Sequence, residues 1–231
     1  MTAPHVLIPV KALGLAKTRL ARVYPPRARA DLALAMFEDT LTAALHLDDV
    51  TVTVVTGDPD VARAARALGA RVLSDPPVST VPAGTEPLNA ALSGAARHVR
   101  ASAPNVTLVA LQADLPAVRT TELAAALDRA RRVGRAVVVD HTGSGTSALV
   151  DGVPHQPFTP RFGPDSAARH VATGAHALEG DWPGLRLDVD TAADLVGAAA
   201  LGVGPATAAA IDRIGLPLGF ADSPVPATMN R

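Results

Sequence analysis

The sequence predicts an α/β protein with a mainly parallel central sheet that is covered by helices on both faces. Short apolar runs rich in β-branched residues alternate along the chain with longer segments of helical periodicity. Several runs are apolar at every position, which is typical of strands buried on both faces. The 231 residues, of which 48% are hydrophobic, suffice for one domain with a large core.

Seven runs are predicted as strands and six segments as helices. The strands, in chain order, are 5–10, 50–56, 70–74, 105–111, 135–140, 147–150 and 185–189. The helices are 27–46, 59–68, 87–102, 121–133, 164–173 and 191–201. The first helix shows the clearest periodicity, with apolar side chains three and four positions apart at Leu34, Phe37, Leu41 and Leu45.

Capping residues support two of these helices. Asp58 followed by Pro59 is an N-cap with proline at the first helical position, and Gly69 ends that helix. Thr191 and Asp194 have the spacing of a capping box.

The domain is predicted to comprise residues 1–215. Residues 216–231 contain proline and glycine and no periodicity, so we expect a flexible C-terminal tail.

Composition excludes several classes of protein. The formal net charge of −1 provides no basic surface for nucleic acid or acidic membranes. The chain has no cysteine, so it forms neither disulfides nor thiolate metal sites. The first ten residues lack the pattern of a signal peptide, and no apolar run approaches the ~18–20 residues of a membrane span. We expect a cytoplasmic protein without nucleic-acid or membrane partners.

Three cations follow the first predicted strand. Lys11, Lys17 and Arg19 lie beyond its carboxyl end, where they are able to neutralise a polyphosphate. The segment is not a Walker A loop, because Ala16 rather than glycine precedes Lys17. A solvated basic turn explains the same residues.

Three aspartates are candidate metal ligands. Asp114 follows the fourth strand, where it also suits a turn. If 185–189 is a strand, Asp188 and Asp190 point to one face about 7 Å apart. Such a pair needs a cation, a shared proton or solvent, and Mg²⁺ prefers oxygen ligands. The alternative is that Asp190 helps to cap the next helix.

The polar segment 158–170, FTPRFGPDSAARH, is a candidate anion site. Gly163 permits close backbone approach, Pro164 suits a first helical position, and Asp165, Ser166 and the residues beyond would supply free backbone N–H groups. The small-residue loop 141–147 adds the hydroxyl of Thr146. Ordinary turns account for both segments equally well.

The sequence gives little support to hydrolases. No histidine pair has the HExxH spacing of a zinc protease, and no GxSxG motif of a serine hydrolase is present.

Six motifs, taken in order, resemble one enzyme family. They are PVKALGLAKTRL, PLNAAL, QADLPA, GTSAL, PRFGPDSAARH and LDVDTAADL. Together they resemble the 2-phospho-L-lactate guanylyltransferases of coenzyme F-420 biosynthesis, and especially the actinobacterial branch that uses phosphoenolpyruvate. The resemblance spans about residues 5–212. It implies a nucleotide-diphospho-sugar-transferase fold, which is GT-A-like and Rossmann-like with three layers.

The resemblance also implies roles for individual residues. It assigns Thr146, Gly163 and Ser166 to phosphoenolpyruvate. It places Lys11, Lys17, Arg19 and Asn89 at the nucleotide. It makes Asp114, Asp188 and Asp190 ligands of Mg²⁺ and, with Lys17, the catalytic residues. Glu86 is a further carboxylate able to accept the N1–H and N2–H of guanine, although it suits an ordinary loop as well.

The activity that the resemblance implies is transfer of GMP from GTP to phosphoenolpyruvate, with release of pyrophosphate. Acceptors left open are 2-phospho-L-lactate and 3-phosphoglycerate. A non-catalytic nucleotide-binding scaffold is the alternative outside enzymes. The product is labile, which leaves open a hand-off to the next enzyme of the coenzyme F-420 pathway.

Overall fold

The computed structural model describes residues 3–15, 17–76, 84–153 and 155–216. Of the predicted tail 216–231, residues 217–231 lie outside this description, so the domain boundary stays a prediction. No helix among the described residues is long and apolar enough to cross a membrane.

Seven strands form one sheet. They are β1 (His5–Pro9), β2 (Thr51–Val55), β3 (Arg71–Leu73), β4 (Leu108–Leu111), β5 (Arg135–Val139), β6 (Thr146–Asp151) and β7 (His176–Ala177). Their order is β3-β2-β1-β4-β6-β5-β7. All pairings are parallel except the two made by β6, which runs antiparallel to both β4 and β5. The predicted mainly parallel sheet is therefore confirmed.

Eight α-helices accompany the sheet in the described residues. They are α1 (Pro26–Leu45), α2 (Pro59–Ala67), α3 (Pro87–Ser102), α4 (Thr120–Val133), α5 (Ser166–Ala172), α6 (Pro183–Arg186), α7 (Ala192–Leu201) and α8 (Pro205–Ile214). Short 3₁₀ turns at Leu13–Leu15 and Thr18–Arg22 lie between β1 and α1.

The core has two main layers because side chains alternate along each strand. In β1, Val6 and Ile8 pack with α1, α2 and α4, whereas Leu7 packs on the other face with α3. A third cluster joins α1 to α7 and α8. This arrangement of helix, sheet and helix confirms the predicted three-layer fold.

The predicted strand 185–189 is wrong. Pro183 begins the helical turn α6, and residues 187–190 have no regular structure. Leu185 and Val189 are fully buried, so the alternating apolar pattern reports burial rather than a strand. The backbone bonds of this segment go to loops: Val189 N–H donates to the Asp114 carbonyl at 3.0 Å, and His141 N–H donates to the Arg186 carbonyl at 2.8 Å.

Helix α8 is absent from the sequence-based prediction and is held by a distant carboxylate. Its N-cap is Gly204, which has no side chain to cap it. Buried Asp39 of α1 accepts instead, from Ala206 N–H at 3.0 Å and Thr207 N–H at 2.7 Å. Asp39 and Ala206 are 167 positions apart in sequence, and their hydrogen bond joins α1 to α8.

Asp39→Ala is expected to lower the free energy of unfolding by about 1–3 kcal/mol, because two N–H groups at the start of α8 lose their acceptor. Urea unfolding at pH 7.5 measures this. Asp31→Ala, on the exposed face of the same helix, controls for helix propensity. Equal unfolding midpoints for the two variants would contradict the capping role.

Candidate functional site

The first half of the candidate site is an ammonium group between two carboxylates. Lys17 Nζ forms an ion pair with Asp114 Oδ2 and a second one, at 3.2 Å, with Asp190 Oδ1. Arg19 reaches the other oxygen of Asp190 at 3.3 Å. Lys17 follows β1 and Asp114 follows β4, and these strands are parallel neighbours whose carboxyl ends meet at one edge.

The environment of Lys17 keeps its side chain charged. Burial opposes the charge, but Asp114 and Asp190 outweigh it, so the pKa of Lys17 lies above its ordinary value. The backbone of Lys17 is also held in the left-handed region, with φ of 54°. That conformation is costly for a residue with a side chain. Strained backbone of this kind is common at functional sites, where a side chain has to be positioned.

Asp58 holds in place the loop after β1 that carries Lys11 and Lys17. One carboxylate oxygen accepts from Asp60 and Val61 N–H at the start of α2, as the predicted N-cap requires. The other accepts Leu13 N–H at 2.9 Å. One residue therefore starts a helix and anchors the loop that leads to Lys17.

Asp188 is the most perturbed carboxylate of the site. Burial, followed by repulsion from Asp114, Asp140 and Asp190, raises its pKa from 3.8 to about 6. His141 lies between two acids, with Nδ1 3.3 Å from Asp188 Oδ1 and Nε2 3.3 Å from Asp194 Oδ1. Several negative charges thus converge here with few cations to offset them.

Asp194 also holds the backbone of this segment. Its Oδ2 accepts Thr191 N–H at 2.7 Å and Asp190 N–H at 3.0 Å, while Thr191 Oγ1 accepts Asp194 N–H. The predicted capping box is confirmed, and it fixes the backbone of Asp190.

The metal assignment stays a prediction. Among the described residues, no group of three acidic or histidine side chains is arranged to hold a metal ion. Asp114 Oδ1 is nevertheless buried without a hydrogen bond in the described part of the chain, and Asp188 Oδ1 has no hydrogen bond there beyond its 3.3 Å approach to His141 Nδ1. Buried carboxylate oxygens of this kind are hard ligands of the type that Mg²⁺ takes, so the donor chemistry fits the ion.

The second half of the candidate site is a buried cluster of hydroxyl groups. Thr146, the first residue of β6, accepts a hydrogen bond from Ser166 Oγ at 3.0 Å. His170 Nδ1 lies 3.0 Å from the same Thr146 oxygen. The predicted residues Thr146 and Ser166 are therefore brought together across 20 positions of sequence.

The tautomer of His170 follows from its partners. Its Nε2 accepts Arg161 N–H at 2.8 Å, so the ring proton lies on Nδ1 and is donated to Thr146. Burial and then Arg135, Arg169 and Arg161 lower the pKa of His170 to about 4, which keeps the ring neutral. Thr146 Oγ1 accepts twice within the cluster, and its own proton remains for another acceptor.

The start of α5 differs from the prediction in two ways. The helix begins at Ser166 rather than Pro164, because Asp165 adopts a left-handed conformation with φ of 53°. Ala167 N–H is not free, since it donates to the Ser144 carbonyl at 3.1 Å. Exposed Gly163 has φ of 118°, a conformation that favours glycine. Hydroxyl groups, more than helix N–H groups, characterise this half.

The two halves lie side by side. Gln112 N–H, just after β4, donates to the Ser147 carbonyl in β6 at 2.9 Å. The loop 140–145 between β5 and β6 contacts both halves: its His141 approaches Asp188, and its Ser144 holds the start of α5. A cleft of about 300 Å³ opens at this edge, lined by Lys11, Lys17, Asp114, Asp190 and their apolar neighbours.

Asn89, which the resemblance places at the nucleotide, has its side-chain amide bound to the loop before Gly163. Its amide N donates to the Phe162 carbonyl at 3.0 Å, and its amide oxygen accepts Phe162 N–H at 2.8 Å. Both ends of the amide therefore hold this loop, and a contact of Asn89 with the nucleotide stays a prediction.

Sequence reasoning assigned no role to His141 or His170. His170 lies four residues after Ser166, so helical spacing places both on one face of α5. His141 opens the small-residue loop, but nothing in the local sequence indicates that Asp188 and Asp194 approach it. That contact depends on the irregular segment 187–190.

The fold and this edge define a nucleotidyltransferase-type α/β protein, in which cations and carboxylates gather at the carboxyl ends of parallel strands. Residues 4–226 match the family model described as "Guanylyl transferase CofC like". The chain belongs to that family, as the sequence resemblance predicts.

Curated relatives and solved structures agree with this assignment. The chain is 55% identical over 217 residues to a phosphoenolpyruvate guanylyltransferase of Rhodococcus jostii, covering 91% of this chain and 93% of the relative. It is 52% identical to that of Nocardia farcinica, covering 92% of each.

Two solved structures support the fold alone. A protein designated a nucleotide-diphospho-sugar transferase, from Desulfovibrio desulfuricans, superposes with a TM-score of 0.64 at 20% identity, covering 93% of this chain and 97% of that one. A cytidylyltransferase from Leptospira borgpetersenii gives 0.54 at 14% identity, covering 93% and 94%.

Proposed function

We propose that this enzyme transfers GMP from GTP to phosphoenolpyruvate in coenzyme F-420 biosynthesis. One observation supports it most: a charged cluster suited to phosphates and a neutral cluster of hydroxyl donors meet at one edge of the sheet. The relatives' names indicate phosphoenolpyruvate as the acceptor. A cytoplasmic location and a hand-off of the labile product to the next enzyme stay predictions.

In the proposed reaction, a phosphate oxygen of phosphoenolpyruvate attacks the α-phosphorus of GTP. The new P–O bond forms as the bond from that phosphorus to the β-phosphate bridging oxygen breaks, and pyrophosphate leaves with the electron pair. The nucleophile needs no general base, because a phosphate monoester with a second pKa near ~6 is largely ionised at pH 7. This agrees with a site that has no Ser-His-Asp arrangement among its described residues.

The main barrier is the repulsion between two polyanions. Lys17, Arg19 and exposed Lys11 line the approach and supply positive charge. Preorganised charge of this kind stabilises the transition state without reorganisation during the reaction. We propose Lys17 as the principal protein cation, since it is the most buried of the three.

We propose that Asp114, Asp188 and Asp190 hold Mg²⁺ when the nucleotide binds. The ion would supply a divalent charge to the phosphate oxygens. This role is supported by Asp114 Oδ1, which is buried without a hydrogen bond among the described residues, and by the nearby buried Asp188 Oδ1. The ion pairs from Lys17 to Asp114 and Asp190 hold those carboxylates at the site in its absence.

The hydroxyl cluster is proposed to bind the acid substrate. His170 fixes the direction of the hydrogen bonds, so that Thr146 presents a donor. Because Gly163 has no side chain, the guanidinium of Arg169 packs beside it, with Nη2 2.9 Å from the position that a Cβ would take. The neutral donors therefore lie beside an exposed cation, which favours a phospho-acid.

Pyrophosphate release with Mg²⁺, GTP and one acid at a time tests this proposal. The acids are phosphoenolpyruvate, 2-phospho-L-lactate and 3-phosphoglycerate. We expect release with phosphoenolpyruvate at a kcat/KM at least tenfold above that for either other acid. Preference for another acid would identify that acid, rather than phosphoenolpyruvate, as the substrate. Release with none of them would favour a nucleotide-binding scaffold.

Ser166→Ala is expected to raise KM for phosphoenolpyruvate by about 10-fold or more, because Thr146 loses a donor that directs its own proton toward the acid. KM for GTP is expected to stay within about twofold. Steady-state kinetics with each substrate varied in turn measure both. Ser102→Ala, at the end of α3, is the matched control. A larger effect on GTP than on the acid would show that the halves are assigned the wrong way round.

A further inference from the structure

The cleft continues away from the charged cluster into a shallow, mostly apolar groove. Its walls come from β1 and α3, and one carboxylate lies at its far side. We call it the outer groove, and it is lined by Val10, Lys11, Asp75, Pro76, Leu88 and Ala91. Val10, Lys11 and Leu88 also line the inner cleft, so the two spaces are continuous.

The strand order sets the distance between the two ends of this space. Asp75 follows β3, and Asp114 follows β4, with β2 and β1 between them. Neighbouring strands lie about 4.8 Å apart, so three spacings separate the two carboxylates by roughly 14 Å. An extended nucleotide with its phosphates at Lys17 would place its base in the outer groove.

The Asp75 carboxylate has acceptor capacity left on both oxygens, because each oxygen has two lone pairs. Its Oδ2 accepts Gly57 N–H at 3.1 Å, which braces the ends of β2 and β3. Its Oδ1 has no hydrogen bond to any residue that the structure describes. The residue is exposed, so a ligand in the groove is able to reach it.

The chemistry of this groove matches guanine. Guanine presents two adjacent donors, N1–H and N2–H, on one edge of a flat ring, and a carboxylate accepts both. Adenine has an acceptor at N1 and no amino group at C2, so the same carboxylate would reject it. Apolar side chains such as Val10 and Leu88 suit the faces of the ring.

We propose that Asp75 is the residue that selects guanine, its carboxylate accepting the N1–H and N2–H of a base held in the outer groove. This inference rests on the proposed use of GTP. Glu86, another carboxylate in this region, is exposed at the N-cap of α3 and does not itself line the groove, although Pro87 and Leu88 beside it do. Glu86→Gln is therefore the comparison variant for this inference.

The test compares GTP, ITP and XTP as ligands of the wild type and of Asp75→Asn, with Mg²⁺ and without acid. The base of ITP is hypoxanthine, which lacks the amino group at C2. The base of XTP is xanthine, which has a carbonyl at C2. Wild type is expected to bind GTP about 10-fold or more tightly than either analogue, as one bidentate contact provides. Asp75→Asn presents an N–H donor to the C2 carbonyl, so we expect it to bind XTP more tightly than GTP.

The asparagine keeps an oxygen for Gly57 N–H, so the variant is expected to fold with an unchanged melting temperature. Asp60→Asn, an exposed change of the same charge on α2, is expected to retain the wild-type order of affinities. The inference is overturned if Asp75→Asn keeps the wild-type preference for GTP over XTP, or if Glu86→Gln inverts that preference instead.

Calorimetric binding separates this inference from the proposed function. If the order of affinities inverts in Asp75→Asn but no acid supports pyrophosphate release, guanine selection stands and the transferase proposal fails. If the acid is used with GTP and Asp75→Asn binds nucleotides as wild type does, the transferase proposal stands and Asp75 does not read the base.

Discussion

Asp188→Asn is expected to abolish turnover and, at pH 7.5, to make the unbound protein more stable. Turnover is expected to fall by at least about 10³-fold, because the variant loses a proposed Mg²⁺ ligand. The stability gain arises because burial, with repulsion from Asp114, Asp140 and Asp190, raises the pKa of Asp188 from 3.8 to about 6. The ionised side chain is therefore a cost to the folded state.

The sign of the pH dependence follows from this shift. Below about pH 4 the carboxyl is protonated in both folded and unfolded states and costs nothing. Between about pH 4 and 6 the unfolded state has lost a proton that the folded state retains, so stability falls as pH rises. Above pH 6 the full cost is present, and two pKa units correspond to at most about 3 kcal/mol.

Urea unfolding of wild type and Asp188→Asn from pH 4 to pH 8 measures this difference. We expect nearly equal stability at pH 4 and a gain of about 1–3 kcal/mol for the variant at pH 7.5. Asp181→Asn, an exposed aspartate on the same segment, should show no such gain. A variant that is less stable than wild type at pH 7.5, or that retains a tenth of its turnover, would contradict the expectation.

Lys17→Met is expected to impair both catalysis and stability. It removes the buried ammonium between Asp114 and Asp190, and those carboxylates then face Asp188 with only the exposed guanidinium of Arg19, paired with Asp190, as a counter-charge. Loss of one preorganised charged donor typically costs about 10²–10³ in kcat. Stability is expected to fall by about 1–3 kcal/mol, less than for a fully buried pair because Asp190 is half exposed.

Arg19→Met is the matched control for this result. Arg19 contacts the same carboxylate, but its side chain is 71% exposed, so its removal should change stability by less than about 0.5 kcal/mol. Saturating GTP and acid isolate kcat, and urea unfolding gives stability. Equal effects of the two substitutions on the free energy of unfolding would show that the ion pairs of Lys17 stabilise the fold no more than that of Arg19.

Sequence reasoning predicted the parts of the site that depend on parallel strands. The sequence places Lys17 and Asp114 beyond the carboxyl ends of two strands, and because such ends share an edge in a parallel sheet, the two side chains meet there. The Asp188–Asp190 geometry was not predictable in this way, because the expected strand is a helical turn followed by irregular chain. An alternating apolar pattern shows which residues are buried, whether the segment is a strand or irregular chain.

The direction of β6 does not follow from its sequence alone, because an apolar run does not show which way its strand runs. Two apolar runs joined by a short loop with two glycines are nevertheless a hairpin signal. Helix α8 has proline at its first position and Gly215 after its end, but it carries few large apolar side chains to show helical periodicity.

The reversal of β6 has a consequence for how substrate choice can diverge in this fold. The groups proposed for GTP lie where parallel strands end, whereas Thr146 lies where a reversed strand begins and is supported by α5 and His170. The residues proposed for the acceptor and those proposed for the donor thus belong to separate stretches of chain. Changes in one stretch can exchange the three-carbon acid while the other continues to activate the same nucleotide.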